Sequence, residues 1–75
     1  MTIYVAQIHF SDNDADDISL FLSKEKCLNF IEEERRRYQE DFDMTNFGHD
    51  TEYEWSMDNG SHFITFYYSE RKVIE

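Results

Sequence analysis

The residues best suited to chemistry form an acidic run near the N-terminus, Asp12-Asn13-Asp14-Ala15-Asp16. Side-chain oxygens at alternating positions match the first ligands of an EF-hand calcium loop. The rest of that pattern is missing, because Asp17 stands where the loop needs glycine and Ser23 where it needs a bidentate glutamate. We therefore predict a solvated acidic loop and no metal site, with weak calcium binding by these carboxylates as the alternative.

The other candidates for catalysis or metal binding are one cysteine and three histidines. Cys27 belongs to the apolar stripe of a predicted helix, so we expect a buried structural thiol and not a nucleophile. His9, His49 and His62 have no metal-ligand spacing, either among themselves or with Cys27. Because a glycine-rich phosphate loop and a nucleophile elbow are also missing, the sequence predicts a protein that is not an enzyme and needs no cofactor.

One long amphipathic helix, from Ser23 to about Met44, is the element against which the rest of the chain must pack. Its apolar positions recur at helical spacing and fall on one face: Cys27, Leu28, Ile31, Tyr38 and Phe42. Ser23 is a suitable N-cap. In the middle of the helix, three glutamates (residues 32–34) are followed by three arginines (residues 35–37). Glu32 lies four residues before Arg36 and Glu33 lies four residues before Arg37, so these charges neutralise each other. We therefore interpret this stretch as a solvated helix face.

Four strands are predicted around this helix, two before it and two after it. Thr2–Phe10 and Ile18–Leu22 show strand-like alternation, and Asn59-Gly60 is typical of a type I′ hairpin turn within Thr51–Tyr68. That turn predicts Met57 opposite His62, Trp55 opposite Ile64, and Tyr53 opposite Phe66. The segment between helix and hairpin, Thr45–Asp50, is predicted to break the helix, with Gly48 in the left-handed conformation.

The predicted fold class is therefore α+β, with an antiparallel four-stranded sheet in the chain order β-β-α-β-β and one long helix packed on one face. The two most apolar strands, the first and the fourth, belong in the centre, which predicts the strand order 2-1-4-3. Residues 1–75 are expected to form a single compact domain.

The net charge of −10 is concentrated in two segments without any basic residue. Residues 11–17 contain four acids and residues 38–58 contain seven. Such a field repels nucleic acid and membranes and attracts basic surfaces. With a single free cysteine and no long apolar run, we expect a complete, soluble protein of the cytoplasm, which binds neither nucleic acid nor membrane directly.

The stretch Ile18–Glu33, ISLFLSKEKCLNFIEE, is similar to a pattern in many small uncharacterised bacterial and phage proteins, in which a strand leads into a Phe-x-Ser-x-Glu-Lys helix start. In size and charge, the whole chain resembles small phage-encoded inhibitors, including anti-CRISPR proteins and other DNA mimics. This resemblance implies carboxylates placed like phosphates, which occupy a basic nucleic-acid channel in the cytoplasm of a host cell.

We therefore predict a small acidic protein that binds and inhibits a nucleic-acid-handling complex through the basic surface of that complex. Exposed aromatic residues would anchor the partner and carboxylates would steer it. The predicted partner-binding residues are Asp12, Asp14, Asp16, Asp17, Glu40, Asp41, Asp43, Asp50, Glu52, Glu54, Asp58, Phe63 and Tyr67. The alternative is a non-enzymatic interaction or regulatory module, homodimeric through a sheet edge or the exposed aromatics, whose acidity serves only solubility. Mimicry requires the two acidic segments to converge on one surface strip.

Overall fold

The part of the chain that the structure describes forms an antiparallel sheet of five strands with one helix across one of its faces. This computed structural model describes residues 1–12 and 15–74. The elements are β1 (Thr2–Phe10), β2 (Asp17–Phe21), α1 (Lys24–Asp41), β3 (Asn46–Asp50), β4 (Glu54–Asp58) and β5 (Phe63–Lys72), and the strand order is β2-β1-β5-β4-β3. The α+β class, the antiparallel pairing and the single helix are confirmed. The predicted count of four strands is wrong, although the four predicted strands have the predicted neighbours.

The additional strand, β3, is the segment that we predicted to be only a break after the helix. All five of its residues are exposed, so it lacks the apolar alternation by which a strand is recognised. It pairs with β4 through Asn46 and Phe47 before the register shifts. The prediction for Gly48 is also wrong: this glycine lies in the strand, where a Cβ atom would collide with the hydroxyl of Ser56.

The helix ends in a Schellman motif that is built on an aspartate instead of a glycine. Asp43 has a left-handed backbone with φ 49°. Its N–H donates to the Glu40 carbonyl at 3.5 Å, and the N–H of buried Met44 donates to the Gln39 carbonyl at 3.1 Å. The helix therefore stops at Asp41, three residues before the predicted end. Its predicted N-cap is confirmed, because the Ser23 hydroxyl accepts from the Lys26 N–H at 3.3 Å.

The core lies between the helix and one face of the sheet. Its buried members come from the central strands, the helix and the segment after it: Ala6, Ile8, Cys27, Ile31, Met44, Met57, Ile64, Phe66 and Tyr68. The predicted apolar faces of the first strand and of the helix both contribute to it, with Tyr4, Phe10, Leu28, Tyr38 and Phe42 packed at its border. Cys27 is fully buried, as predicted, and this burial raises the pKa of its thiol.

The hairpin between β4 and β5 is shifted by two residues from its predicted register. Met57 lies opposite Ile64 and Trp55 opposite Phe66. The turn is therefore Gly60-Ser61, with Gly60 at φ 90°, and not Asn59-Gly60. A shift of two residues leaves each side chain on its predicted face, so the predicted core face survives the error in register.

Candidate protein-interaction surface

Three segments that are distant in sequence meet at one end of the sheet: the β1–β2 turn, the end of α1 and the β4–β5 hairpin. The Ser11 N–H donates to the Phe63 carbonyl at 3.0 Å, which joins the β1–β2 turn to the start of β5. The Asn59 amide donates to the Phe42 carbonyl at 2.7 Å, which joins the hairpin to the end of the helix. Because these segments supply carboxylates, the bonds between them gather negative charge.

We call this part of the molecule the acidic end; its described carboxylates are Asp12, Asp16, Asp17, Glu40, Asp41, Asp43 and Asp58. The described segments that form it, residues 9–12, 15–17, 38–45 and 58–63, contain no lysine or arginine. The helix also points the negative end of its dipole here, with no basic residue in its last turn. Asp14, another predicted site residue, lies outside the described residues. The acidic end therefore carries a concentrated negative field.

Asp12 lies against an imidazole that is itself packed against two aromatic rings. The Nδ1 of His62 lies 2.7 Å from an Asp12 carboxylate oxygen, although their orientation is not that of an aligned hydrogen bond. The His62 ring stacks on Phe10 at a centroid distance of 5.9 Å and meets the edge of Phe42 at the same distance. The Asp12 side chain is still 52% exposed, so it remains accessible to a partner.

Asp16 is fixed on the sheet face opposite the helix. Its carboxylate lies 2.7 Å from the His9 Nδ1 and accepts a hydrogen bond from the Gln7 amide. These contacts, that of His9 first, lower the pKa of Asp16 below its ordinary value. Asp16 therefore keeps its negative charge throughout the neutral range. The His9 ring also lies 5.9 Å from that of Phe63, which connects this carboxylate to an exposed aromatic residue.

Asp58 and Phe63 place an acid and an aromatic side by side at the base of the hairpin. They are directly opposite each other in the β4–β5 register, and Phe63 is 49% exposed. Asp58 accepts hydrogen bonds from the Asn46 amide at 3.0 Å and from the Gly60 N–H at 3.1 Å. Tyr67 lies farther along β5, opposite Glu54. Of the two predicted aromatic residues, Phe63 is thus the one that adjoins the acidic end.

The remaining predicted acids, Asp50, Glu52 and Glu54, lie around the other end of β3 and β4. Glu54 is 3.4 Å from the His49 imidazole, and Glu52 borders a groove together with Lys24. The second acidic segment of the sequence is therefore divided by the fold. Glu40, Asp41, Asp43 and Asp58 lie at the acidic end. Asp50, Glu52 and Glu54 lie elsewhere, where Glu54 is near His49 and Glu52 is near Lys24.

Sequence reasoning missed a group of exposed apolar side chains on β2 and directly after it. We name Ile18, Leu20 and Leu22 the apolar edge; they are 61%, 64% and 75% exposed. Their alternation was visible in the sequence, and it placed them on one face of a strand. What the sequence did not show is that this face points away from the helix, because Phe21 on the opposite face packs against Phe30 of α1.

A shallow groove of about 320 Å³ was also missed. It lies between the helix N-terminus and the β3–β4 connection and is lined by Lys24, Leu28, Glu52, Tyr53, Trp55 and Tyr68. Cations of the protein itself already lie over two of its aromatic rings, with the Lys24 Nζ 5.9 Å from the Tyr68 centroid and the Arg35 guanidinium 5.2 Å from that of Trp55. We therefore assign no ligand to it.

Within residues 1–12 and 15–74, no group of three or more His, Cys, Asp or Glu side chains is arranged to hold a metal ion. Helix α1 is too polar to cross a membrane, and it is the one helix in the part of the chain that the structure describes. Comparison with models of protein families, with curated proteins and with solved structures gave no match. Function must therefore be argued from the geometry of the surface.

Proposed function

We propose that this protein binds a basic surface of a nucleic-acid-handling protein through its acidic end, and that it inhibits that protein by taking the place of phosphates. The observation that carries the proposal is the convergence of carboxylates from three separate segments at an end whose segments contain no lysine or arginine. A partner that binds phosphates with Arg and Lys can bind carboxylates with the same side chains.

The position of the acids also supports a role in binding, because some of them oppose the stability of the fold. Glu40, Asp41 and Asp43 lie at the C-terminus of α1, where the helix dipole favours positive charge. Asp43 in addition adopts a backbone conformation that suits glycine better. Residues that break local rules without a structural gain are expected at functional sites. Acidity needed only for solubility would be equally effective elsewhere on the surface.

The contacts within the acidic end favour recognition of a partner without a large rearrangement. Asp12, Asp16 and Asp58 each have a fixed neighbour in the protein, and Phe63 supplies an exposed apolar anchor among them. Preorganised charges lose less conformational entropy on binding. Association should therefore be fast and steeply dependent on salt, as it is for other charge-steered complexes.

The proposal is tested by affinity capture from a bacterial lysate at low salt, elution with a salt gradient and identification of the eluted proteins. The informative variant removes three charges at the helix end: Glu40→Gln, Asp41→Asn and Asp43→Asn. Its matched control removes three charges at the other acidic group: Asp50→Asn, Glu52→Gln and Glu54→Gln. We expect the wild type and the control to retain the same nucleic-acid-binding protein, and the helix-end variant to lose it.

Added double-stranded DNA or RNA should release the captured protein, because both ligands compete for one basic surface. The proposal is wrong if the helix-end variant captures the same protein as well as the wild type, or if nucleic acid leaves the complex intact. Retention that survives high salt would equally contradict it, since contacts between exposed charges weaken strongly as the ionic strength rises.

The second candidate function is a non-enzymatic interaction or regulatory module whose acidity serves only solubility. The apolar edge favours it, because exposed apolar side chains at neighbouring positions are typical of protein contacts. Under this alternative, captured partners would be insensitive to the helix-end charges and would be lost when the apolar edge is changed.

A further inference from the structure

A shallow pocket opens on the face of the sheet opposite the helix, where it borders the acidic end. We name it the sheet pocket; its volume is about 270 Å³, and its lining residues are Gln7, His9, Asp16 and Tyr67. Gln7 and Tyr67 are directly opposite each other in the β1–β5 register, so their side chains share one face of the sheet. The residues on either side of them in the chain are buried under the helix: Ala6, Ile8, Phe66 and Tyr68. The sheet pocket therefore lies on the face that the helix leaves open.

The polar atoms that remain free in the sheet pocket are mostly acceptors. Asp16 accepts a hydrogen bond from the Gln7 amide and lies 2.7 Å from the His9 Nδ1. Because a carboxylate can only accept, these contacts turn the N–H groups of Gln7 and His9 toward Asp16. The Gln7 carbonyl oxygen and, in a neutral imidazole, the His9 Nε2 are then left as acceptors. About half of the roughly four lone-pair positions of the carboxylate are free as well. The pocket therefore suits a cation that donates several hydrogen bonds.

Tyr67 adds an aromatic ring to this set of acceptors, and the face of such a ring attracts cations. The groove on the helix side of the sheet already has cations of the protein over its rings, with Lys24 over Tyr68 and Arg35 over Trp55. Within the part of the chain that the structure describes, no lysine or arginine lies over the Tyr67 ring. The sheet pocket can therefore attract a cation from outside the protein.

The shape and the size of the sheet pocket select one kind of cation. A guanidinium is planar, has five N–H donors and no acceptor, and stacks on aromatic rings, whereas an ammonium is a compact and strongly hydrated point charge. Pockets that enclose whole small molecules measure about 300–1,000 Å³. The sheet pocket is smaller than that range, so it fits the end of a side chain whose backbone stays outside.

We infer that the sheet pocket binds one arginine side chain of the protein partner, with its guanidinium on the Asp16 carboxylate and against the Tyr67 ring. The inference rests on the proposed function for its partner, because Asp16 belongs to the acidic end that attracts a basic protein surface. It adds a specific contact to a diffuse electrostatic attraction. Lysine at the same position of the partner is a poor substitute, since its ammonium matches neither the ring nor the set of acceptors.

The test is an NMR titration of the isotope-labelled full chain with three probes: N-acetylarginine methylamide, the corresponding lysine compound and the corresponding citrulline compound, which is a neutral analogue of arginine. The arginine probe should shift the side-chain amide signals of Gln7 and the ring signals of Tyr67 until they saturate. It should bind at least about fivefold more tightly than the lysine probe. The citrulline probe should leave both sets of signals in place, because it lacks the charge.

Two variants and one matched control assign the site. Asp16→Asn should weaken binding of the arginine probe by at least about fivefold, and Tyr67→Leu by about two- to fivefold. The control is Asp12→Asn, which removes a carboxylate of the same turn that also lies beside an imidazole but does not line the sheet pocket. It should change the affinity by less than about twofold, because an exposed charge outside the site is largely screened. The dispersion of the same spectra verifies that each variant is folded.

The inference is overturned if the arginine probe leaves the signals of Gln7 and Tyr67 unmoved, or if the lysine or citrulline probe shifts them as strongly. It is also overturned if Asp12→Asn weakens binding as much as Asp16→Asn. This titration needs no partner, so its failure leaves capture by the acidic end standing. Conversely, arginine binding in the sheet pocket together with failed capture from a lysate would refute the proposed function alone.

Discussion

Asp43 offers the sharpest test of whether the acidic end is built at the expense of stability. The residue is the left-handed position of the Schellman motif that ends α1, and it carries a negative charge at the negative end of the helix dipole. Two replacements separate these effects. Asp43→Asn removes the charge and keeps a side chain that tolerates the left-handed region, whereas Asp43→Gly removes both the charge and the conformational strain.

The expected magnitudes follow from these two effects. Removal of an unfavourable charge from a helix end stabilises the fold by about 0.3–1 kcal/mol. A glycine at this position removes the strain of the left-handed backbone, which stabilises the fold by about 1–2 kcal/mol. Glycine also makes the unfolded chain more flexible, which lowers the free energy of unfolding by about 0.4–1 kcal/mol. Asp43→Gly should therefore exceed Asp43→Asn by about 0–1.6 kcal/mol. For a domain of this size, 1 kcal/mol corresponds to about 4–8 °C in melting temperature.

The assay is urea unfolding of both variants and the wild type, at low salt and in 1 M NaCl. At 1 M salt the Debye length is about 3 Å, so the gain of Asp43→Asn should nearly vanish while the extra gain of Asp43→Gly persists. Asp50→Asn, a neutralisation on exposed β3, is the control and should change stability by less than about 0.5 kcal/mol. The reasoning is refuted if Asp43→Asn destabilises the protein, or if its gain is the same at both salt concentrations.

Three other changes test how the surrounding fold is held together. Asn59→Ala should lower the free energy of unfolding by about 1–3 kcal/mol, as measured by urea unfolding. The reason is that the Asn59 side chain accepts hydrogen bonds from two N–H groups of its own turn and donates one to the Phe42 carbonyl. An unchanged stability would contradict this prediction. Gly48→Ala should lower the free energy of unfolding by about 1 kcal/mol, because the new methyl group displaces the Ser56 hydroxyl from the His49 N–H. In a double-mutant cycle, this loss of stability should be smaller when Ser56 is already alanine. Folding lowers the pKa of Asp16. The ionised Asp16 carboxylate therefore stabilises the folded state above its unfolded pKa near 3.8, and this contribution is lost as the pH falls through its folded pKa. Asp16→Asn should thus be less stable than wild type at pH 7, with a difference that closes on acidification; a constant difference between pH 7 and about pH 2 would exclude this linkage.

Much of the fold could be predicted because local pattern and tertiary role agree along the helix and the central strands. Cys27 and Ile31 repeat at helical spacing and are buried, and Ala6 and Ile8 alternate along a strand and are buried with them. Ser23 caps the helix because its hydroxyl is in reach of a nearby backbone N–H, which is a purely local matter. Signals of this kind depend only on near neighbours in the chain.

The errors arose where a long-range contact decided between local alternatives. Asn59-Gly60 is a strong turn signal, but the bond from Asn59 to the helix end at Phe42 moves the turn by one residue. The left-handed residue is Asp43 and not a glycine, because the chain must reverse there to bury Met44. Strand β3 has no apolar alternation, so its pairing with β4 could not be seen in its sequence.

The candidate site was predictable in composition but not in arrangement. The sequence shows that the acids are concentrated in two segments, residues 11–17 and 38–58. The fold brings the first segment close to part of the second through hydrogen bonds between Ser11 and Phe63, which are 52 residues apart in the chain. The separation of Asp50, Glu52 and Glu54 from the acidic end depends on the direction of β3 and β4. That direction is a property of the sheet and not of any local pattern.

The most direct test of the central claim is displacement of DNA from a captured partner. Fluorescence anisotropy of a labelled duplex bound to that partner would be followed as this protein is added, at several salt concentrations. We predict that the wild type displaces the duplex, that rising salt weakens this effect, and that the Glu40→Gln, Asp41→Asn, Asp43→Asn variant displaces little. A ternary complex in which the partner holds the duplex and this protein together would contradict the account.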